Sequence, residues 1–154
     1  MKDKLQNKLA KRFPELSQDL GKSPKESCMA WGFSIGNGWA KLFEMLCEDL
    51  DKARKEECPD LKFEQVKEKY GRLRVYLYGG NDHTIELTDM YEVGSGFICE
   101  SCGKLGRMNG RGWIKCLCDS CRNPAWYKRW WKKFVYFLDC LPWRRFRPKS
   151  WMVE

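Results

Sequence analysis

Two residues separate Cys99 from Cys102, and after fifteen more residues Cys118 and Cys121 repeat that spacing. Five of the nine cysteines fall between Cys99 and Cys121. Two residues between thiols let both sulfurs of one tight turn face a single ion. Two such turns supply four soft ligands, which is what tetrahedral zinc takes. Gly103 suits the turn after the first pair, because backbone curling toward sulfur favours a residue without Cβ. Between the pairs, Lys104–Met108 and Trp113–Leu117 can pair as a hairpin across Asn109-Gly110-Arg111-Gly112, since Asn-Gly is a strong hairpin turn signal. The expected product is a zinc ribbon with a structural Zn2+, because four cysteines leave no open coordination position for water. Cys116 is the alternative to Cys118 as ligand, with a looser loop to Cys121. Buried reduced thiols and an iron–sulfur cluster are the competing readings of the segment.

The second chemical feature is the end of the chain. The net charge is +8; residues from Arg122 onward carry +7 of it, leaving +1 for residues 1–121. Five of the eight tryptophans lie in the same tail. Asn123 and Pro124 can open a helix, Trp126, Trp130, Phe134, Phe137 and Leu141 line one face of it, and Pro142 ends it. The expected partner-binding residues are Arg111 in the ribbon turn, Lys128, Arg129, Trp131, Lys132 and Lys133 on the helix, and Trp143, Arg144, Arg145, Arg147 and Trp151 beyond it. Cations neutralise phosphates and aromatic rings stack on bases. The same composition suits an anionic membrane surface or a protein partner, or packing of the aromatic face on the body. The sequence leaves these readings open, and the oligomeric state with them.

Catalysis is not expected. His83 is the only histidine, and beside Asp82 near a turn it reads as a surface residue. Gly79-Gly80 lacks the spacing of a phosphate-binding loop. The N-terminal stretch MKDKLQNKLAKRF alternates charge and has no apolar core of a leader, and no stretch nears the roughly 20 apolar residues of a membrane span. A cytoplasmic protein with reduced cysteines is therefore expected.

The elements that must position the cysteines follow from periodicity. Leu5, Leu9 and Phe13 mark a short helix ended by Pro14. Residues 14–36 read mostly as loop, with Ser27–Trp31 offering a short apolar contact. Asn37 reads as the N-cap of the main helix, where Trp39, Leu42, Phe43, Leu46, Leu50 and Ala53 form the core stripe and Pro59 closes it. Cys47 lies on that helix and reads as core. Residues 63–66 suit a strand or a helical turn. Residues 73–78, LRVYLY, alternate as a strand with Leu73, Val75 and Leu77 on one side. Residues 79–82 make a turn, 83–93 lean to helix, and Gly94-Ser95-Gly96 reads as a hinge.

The runs WGFSIGNGWAKLFEMLCEDL and FEQVKEKYGRLRVYLY, with the C-x2-C-G…GW…LC-x2-C ending, resemble an uncharacterised family of small bacteriophage and prophage proteins. The resemblance covers about residues 1–122. In that pattern an acid and a cysteine often stand where this chain has Ser34 and Ile35, and Asp where it has Asn37, so any role of those positions is not carried over. The resemblance implies a phage origin and a bacterial cytosol, and no reaction. The expected architecture is α+β: helices packed on a small antiparallel sheet (1–96), a zinc ribbon (97–122), then a basic, Trp-rich helical tail (123–154). The expected function is that of an accessory protein binding nucleic acid or the machinery that handles it. The alternatives are an anti-defence inhibitor that blocks a host protein and a peripheral membrane protein.

Overall fold

The computed structural model describes residues 1–110 and 112–123. Arg111 and the expected tail helix lie outside the described residues. Met1–Cys121 form one compact unit, so the cysteine segment shares a body with the helices and sheet.

Helix α1 (Asp3–Arg12) buries Leu9 and is followed by buried Phe13. Residues 14–36 carry no long element, but they are not a passive loop. Leu16, Met29, Phe33 and Ile35 are all at most 4% exposed and belong to the core. A short 3-10 turn, Cys28–Trp31, begins where the Ser27 hydroxyl accepts the Met29 N–H. It turns Met29 inward and leaves Trp31 exposed.

Helix α2 (Ala40–Glu56) buries Phe43, Leu46, Cys47, Leu50 and Ala53, the stripe read from the sequence. Its start differs from the expectation. Asn37 does not cap it: Asn37–Trp39 form a 3-10 turn, and Trp39 holds the N-cap position without a side-chain cap bond. The Asn37 carboxamide oxygen instead accepts the Lys2 backbone N–H at 2.8 Å, tying α1 to the lead-in of α2. Phe33, Phe43 and Phe63 meet with ring centroids 4.9–6.0 Å apart at the centre of the core.

Strands β1 (Lys62–Lys69) and β2 (Arg72–Tyr78) pair antiparallel through the two-residue turn Tyr70-Gly71. Residues 63–66 are thus strand. Val66 opposite Val75 and Phe63 opposite Leu77 face the core; Lys69 opposite Arg72, Lys67 opposite Arg74, and Gln65 opposite Tyr76 share the other face. A bulge between Phe63 and Gln65 preserves this alternation. Ser34 bridges to Lys67 along the free side of β1.

Helix α3 (Asp82–Ser95) confirms the helical reading of 83–93. Asn81 and Thr84 form a reciprocal capping box, so the glycine turn is also a helix start. Tyr91 donates to Asp49 at 2.6 Å, binding α3 to α2. Gly94-Ser95-Gly96 is no hinge. Ser95 is fully buried; its hydroxyl accepts the Leu73 N–H at 2.8 Å and donates to the Glu92 carbonyl at 2.6 Å. This satisfies a β2 amide that β1 does not use. Ser95→Ala is expected to lower unfolding free energy by about 1–3 kcal/mol, the cost of a buried amide left unpaired. Urea unfolding followed by far-UV circular dichroism measures it.

Candidate metal centre

After α3 the chain enters the first cysteine turn. Ile98 bridges antiparallel to Leu105, the Cys99 N–H donates to the Lys104 carbonyl at 2.8 Å, and the Gly103 N–H to the Cys99 carbonyl at 2.9 Å. Gly103 has φ +78°, the left-handed conformation expected of a glycine in this turn. Strands β3 (Arg107–Met108) and β4 (Cys116–Leu117) then pair antiparallel. The hairpin is shorter than expected, and one side chain organises its loop. The Asn109 carboxamide accepts the Lys115 N–H at 2.5 Å and donates to the Trp113 carbonyl at 3.1 Å. The second cysteine turn runs into a one-turn helix, α4 (Asp119–Arg122), with the Cys121 N–H on the Cys118 carbonyl at 3.1 Å.

These elements bring the sulfurs of Cys99, Cys102, Cys118 and Cys121 within 4.8 Å of one another. The Cys102 and Cys118 sulfurs are 3.6 Å apart. A tetrahedral site with metal–sulfur bonds of about 2.3 Å places its sulfurs about 3.8 Å apart, so the group has the size of a four-thiolate metal site. Hydrogen bonds from the Ser120 hydroxyl and the Cys121 amide pull the Cys118 thiol down to about 6. At Cys99 burial opposes ionisation, yet the amides of Cys118, Cys102 and Ser101 bring the thiol below its ordinary range. Cys121, hydrogen-bonded to Cys102 and Cys118, is pushed up to about 12. Donors aimed at two of the four sulfurs favour the thiolate form that a metal binds.

Cys116 stands outside the group. It is fully buried and its thiol donates to the Gly96 carbonyl at 3.1 Å, so the geometry places Cys118, not Cys116, with the other three. None of the eight described cysteines is in a disulfide. The remaining predicted binding residues, Arg111, Lys128, Arg129, Trp131, Lys132, Lys133, Trp143, Arg144, Arg145, Arg147 and Trp151, lie outside the described residues.

What stands behind the centre is not foreseen from the sequence. The segment Gly36-Asn37-Gly38-Trp39 lies backbone-to-backbone on the first cysteine turn. The Gly38 N–H donates to the Glu100 carbonyl at 2.8 Å, and the Trp39 indole N–H to the Ile98 carbonyl at 2.7 Å. A Cβ on Gly38 would sit 2.1 Å from the Cys99 carbonyl oxygen, and one on Gly36 2.0 Å from that of Glu100. The Glu100 side chain, almost wholly buried, is held by Lys115 Nζ at 2.7 Å, and that carboxylate raises the Lys115 pKa. The usable signal is the pair of glycines just before a tryptophan, which marks a close backbone approach. Ser34 and Ile35 have structural duties here: Ser34 exchanges backbone bonds with Val66 and Glu68, and Ile35 is buried.

His83 is exposed and faces Glu57 at 3.4 Å. Among the described residues no helix is long and apolar enough to cross a membrane. No family model, no curated protein and no solved structure matches this chain.

Two substitutions separate ligand from core. Cys118→Ser is expected to abolish stoichiometric metal, while Cys116→Ser keeps it and lowers stability; elemental analysis of the purified proteins reads the difference. Gly38→Ala is expected to weaken metal retention against a chelator by at least about tenfold, although residue 38 offers no ligand atom, because the added methyl forces the Cys99–Gly103 turn away.

Proposed function

We propose that the chain is a phage-type accessory protein whose four-cysteine group holds a structural zinc ion and whose action is to bind nucleic acid. Four thiolates at tetrahedral spacing suit zinc best among common ions, and the closed set suits a structural role. The ion would bind Cys99, Cys102, Cys118 and Cys121, fixing the two ends of the β3–β4 hairpin against the body.

The observation that carries the nucleic-acid reading is the open face of the sheet. Lys69 stands opposite Arg72 and Lys67 opposite Arg74. Like charges directly across an antiparallel pair destabilise it, so folding alone does not account for them. Glu92 neutralises Arg74 at 2.6 Å, but among the described residues none of Lys67, Lys69 and Arg72 is in an ion pair. Aromatic rings lie beside these lysines instead. Lys67 Nζ lies 5.1 Å from the Tyr76 ring centroid and Lys69 Nζ 5.7 Å from that of Tyr70; Lys62 Nζ lies 5.2 Å from the Tyr78 centroid but is also paired with Asp19 at 3.0 Å. A ring holds a cation without neutralising it. Cations with exposed tyrosines on a sheet are the parts of a single-strand platform: phosphates meet the charges, bases meet the rings. The far end of the face, toward Asp19, Glu26 and Glu64, is acidic, which confines the phosphate-binding part to the Tyr70 end. The basic tail adds charge to the same electrostatic attraction.

Affinity for a single-stranded oligonucleotide is expected to fall steeply with salt. Replacing Lys67, Lys69 and Arg72 together by Ala should reduce the log–log salt slope by roughly 2, at about 0.7 for each phosphate no longer neutralised. Fluorescence anisotropy across a salt series measures it, and absence of binding at low salt would sink the reading.

A further inference from the structure

We infer that the junction of the two hairpin tips is a stacking slot for one unpaired nucleobase, with Tyr70 and Trp113 as its aromatic walls. This rests on the nucleic-acid reading above and assigns where a base is held.

The first observation is a residue in an unfavourable place. Tyr70 occupies the β1–β2 turn with φ +53°, and Gly71 follows at +76°. Two successive left-handed residues make the tight hairpin turn that Asn-Gly fills best. A bulky side chain there costs roughly 1–2 kcal/mol relative to ordinary backbone. The ring recovers little of that by burial, since Tyr70 is 68% exposed. A strained and exposed aromatic points to a use outside folding.

The second observation is that the β1–β2 tip packs against the second hairpin. A Cβ on Gly71 would lie 3.2 Å from the Cys116 amide nitrogen and 3.3 Å from the Ile114 side chain. The β1–β2 tip therefore rests on the strand that leads into the second cysteine turn. Between the tips opens a groove of about 360 Å³ lined by Glu68, Lys69, Tyr70, Gly112, Trp113 and Ile114. That is the small end of ligand pockets, roughly 300–1,000 Å³, a fit for one planar ring system and not for a duplex. Trp113 is 75% exposed, and its carbonyl accepts from the Asn109 carboxamide at 3.1 Å.

Charge selects the occupant. Lys69 lines the slot, and Lys67 and Arg72 neighbour it on the sheet face, in a body whose net charge is only +1. An occupant flanked by phosphates fits this arrangement better than a neutral aromatic ligand. Glu68 is the one acid of the lining. Its Oε1 accepts the Gly71 N–H at 2.8 Å, holding the turn closed. A carboxylate there repels phosphate and accepts from the amino edge of a base, so base inside and backbone outside is the favoured orientation. Duplex DNA buries its base faces and cannot use the slot.

The test uses the full-length, metal-replete protein and labelled single-stranded and duplex oligonucleotides of equal length at one low salt concentration. Trp113→Ala is expected to weaken single-strand binding about 5- to 150-fold, the loss of one stacked base, and to leave duplex binding within about twofold. Tyr70→Asn supplies a second, independent readout. It should raise the urea midpoint, by relieving the turn, while weakening single-strand binding at least about fivefold. A merely structural role for Tyr70 would move both quantities the same way. Unchanged single-strand affinity in Tyr70→Asn, or equal losses for both oligonucleotides in Trp113→Ala, would overturn the slot and leave the wider nucleic-acid reading standing. Failure of the unsubstituted protein to bind either oligonucleotide would overturn both.

Discussion

The constraint on which the rest of this structure depends is a contact with no side chain in it. Gly36-Asn37-Gly38 presses its backbone onto the Cys99–Gly103 turn so closely that neither glycine can carry a Cβ. The Gly38 amide and the Trp39 indole then close hydrogen bonds onto the carbonyls of Glu100 and Ile98. Trp39 is fully buried, and α2 begins at the next residue. One short segment thus sets both the start of the main core helix and the position of the first cysteine pair. Core packing and the placement of the four thiols are coupled. A structural zinc site contributes on the order of 10 kcal/mol of binding free energy, and here that energy would be delivered to the centre of the α+β body.

The same coupling reaches the sheet. Gly71 at the hairpin tip abuts residues 114–116, and the Cys116 thiol is buried against Gly96 at the end of α3. The Glu100 N–H meets the Cys116 carbonyl at 2.9 Å, so backbone joins the two halves of the ribbon behind the sulfurs. A buried carboxylate at Glu100 is tolerable because Lys115, two residues before Leu117 in β4, reaches it. The ribbon is a wall of the domain, built from the same hydrogen-bond network.

What the sequence made legible was whatever depends on local pattern. The α2 stripe repeats along the helix, Leu73 to Tyr78 alternate cleanly, and the two C-x2-C pairs carry their own geometry. The obscure parts were those that tertiary contacts decide. The Tyr70-Gly71 hairpin was hidden because tyrosine is a poor turn residue, and so β1 stayed open between strand and helix. Asn37 has the chemistry of an N-cap, but its oxygen is taken by the Lys2 amide. Gly94-Ser95-Gly96 has the composition of a hinge, and only the spare Leu73 amide explains why Ser95 is buried. Spacing alone left Cys116 and Cys118 as rival ligands. The structure separates them by surroundings: the Cys116 sulfur is taken up by the Gly96 carbonyl in the core, while Cys118, at the end of β4, meets the other thiols.

Natural sequences agree with their folds at most positions, and disagreements tend to gather where function opposes stability. In this chain several of them lie together at the Tyr70 end of the sheet. Around the sulfurs most of the local chemistry is consistent: glycines where space is lacking, amide donors toward thiolates, and a buried acid, Glu100, paired through one of its two oxygens. At the Tyr70 end of the sheet local rules are broken twice: by the like-charge cross-strand pair Lys69–Arg72 and by a bulky side chain in left-handed backbone; the second like-charge pair, Lys67–Arg74, is offset by Glu92. Trp113, on the neighbouring loop, adds a large exposed ring to the same groove. Each feature alone is a modest cost that the core can absorb. Their concentration on one surface beside the four-thiol group is what the proposed nucleic-acid site would use. A flat ligand with a negatively charged backbone is the occupant that would make use of all these departures together.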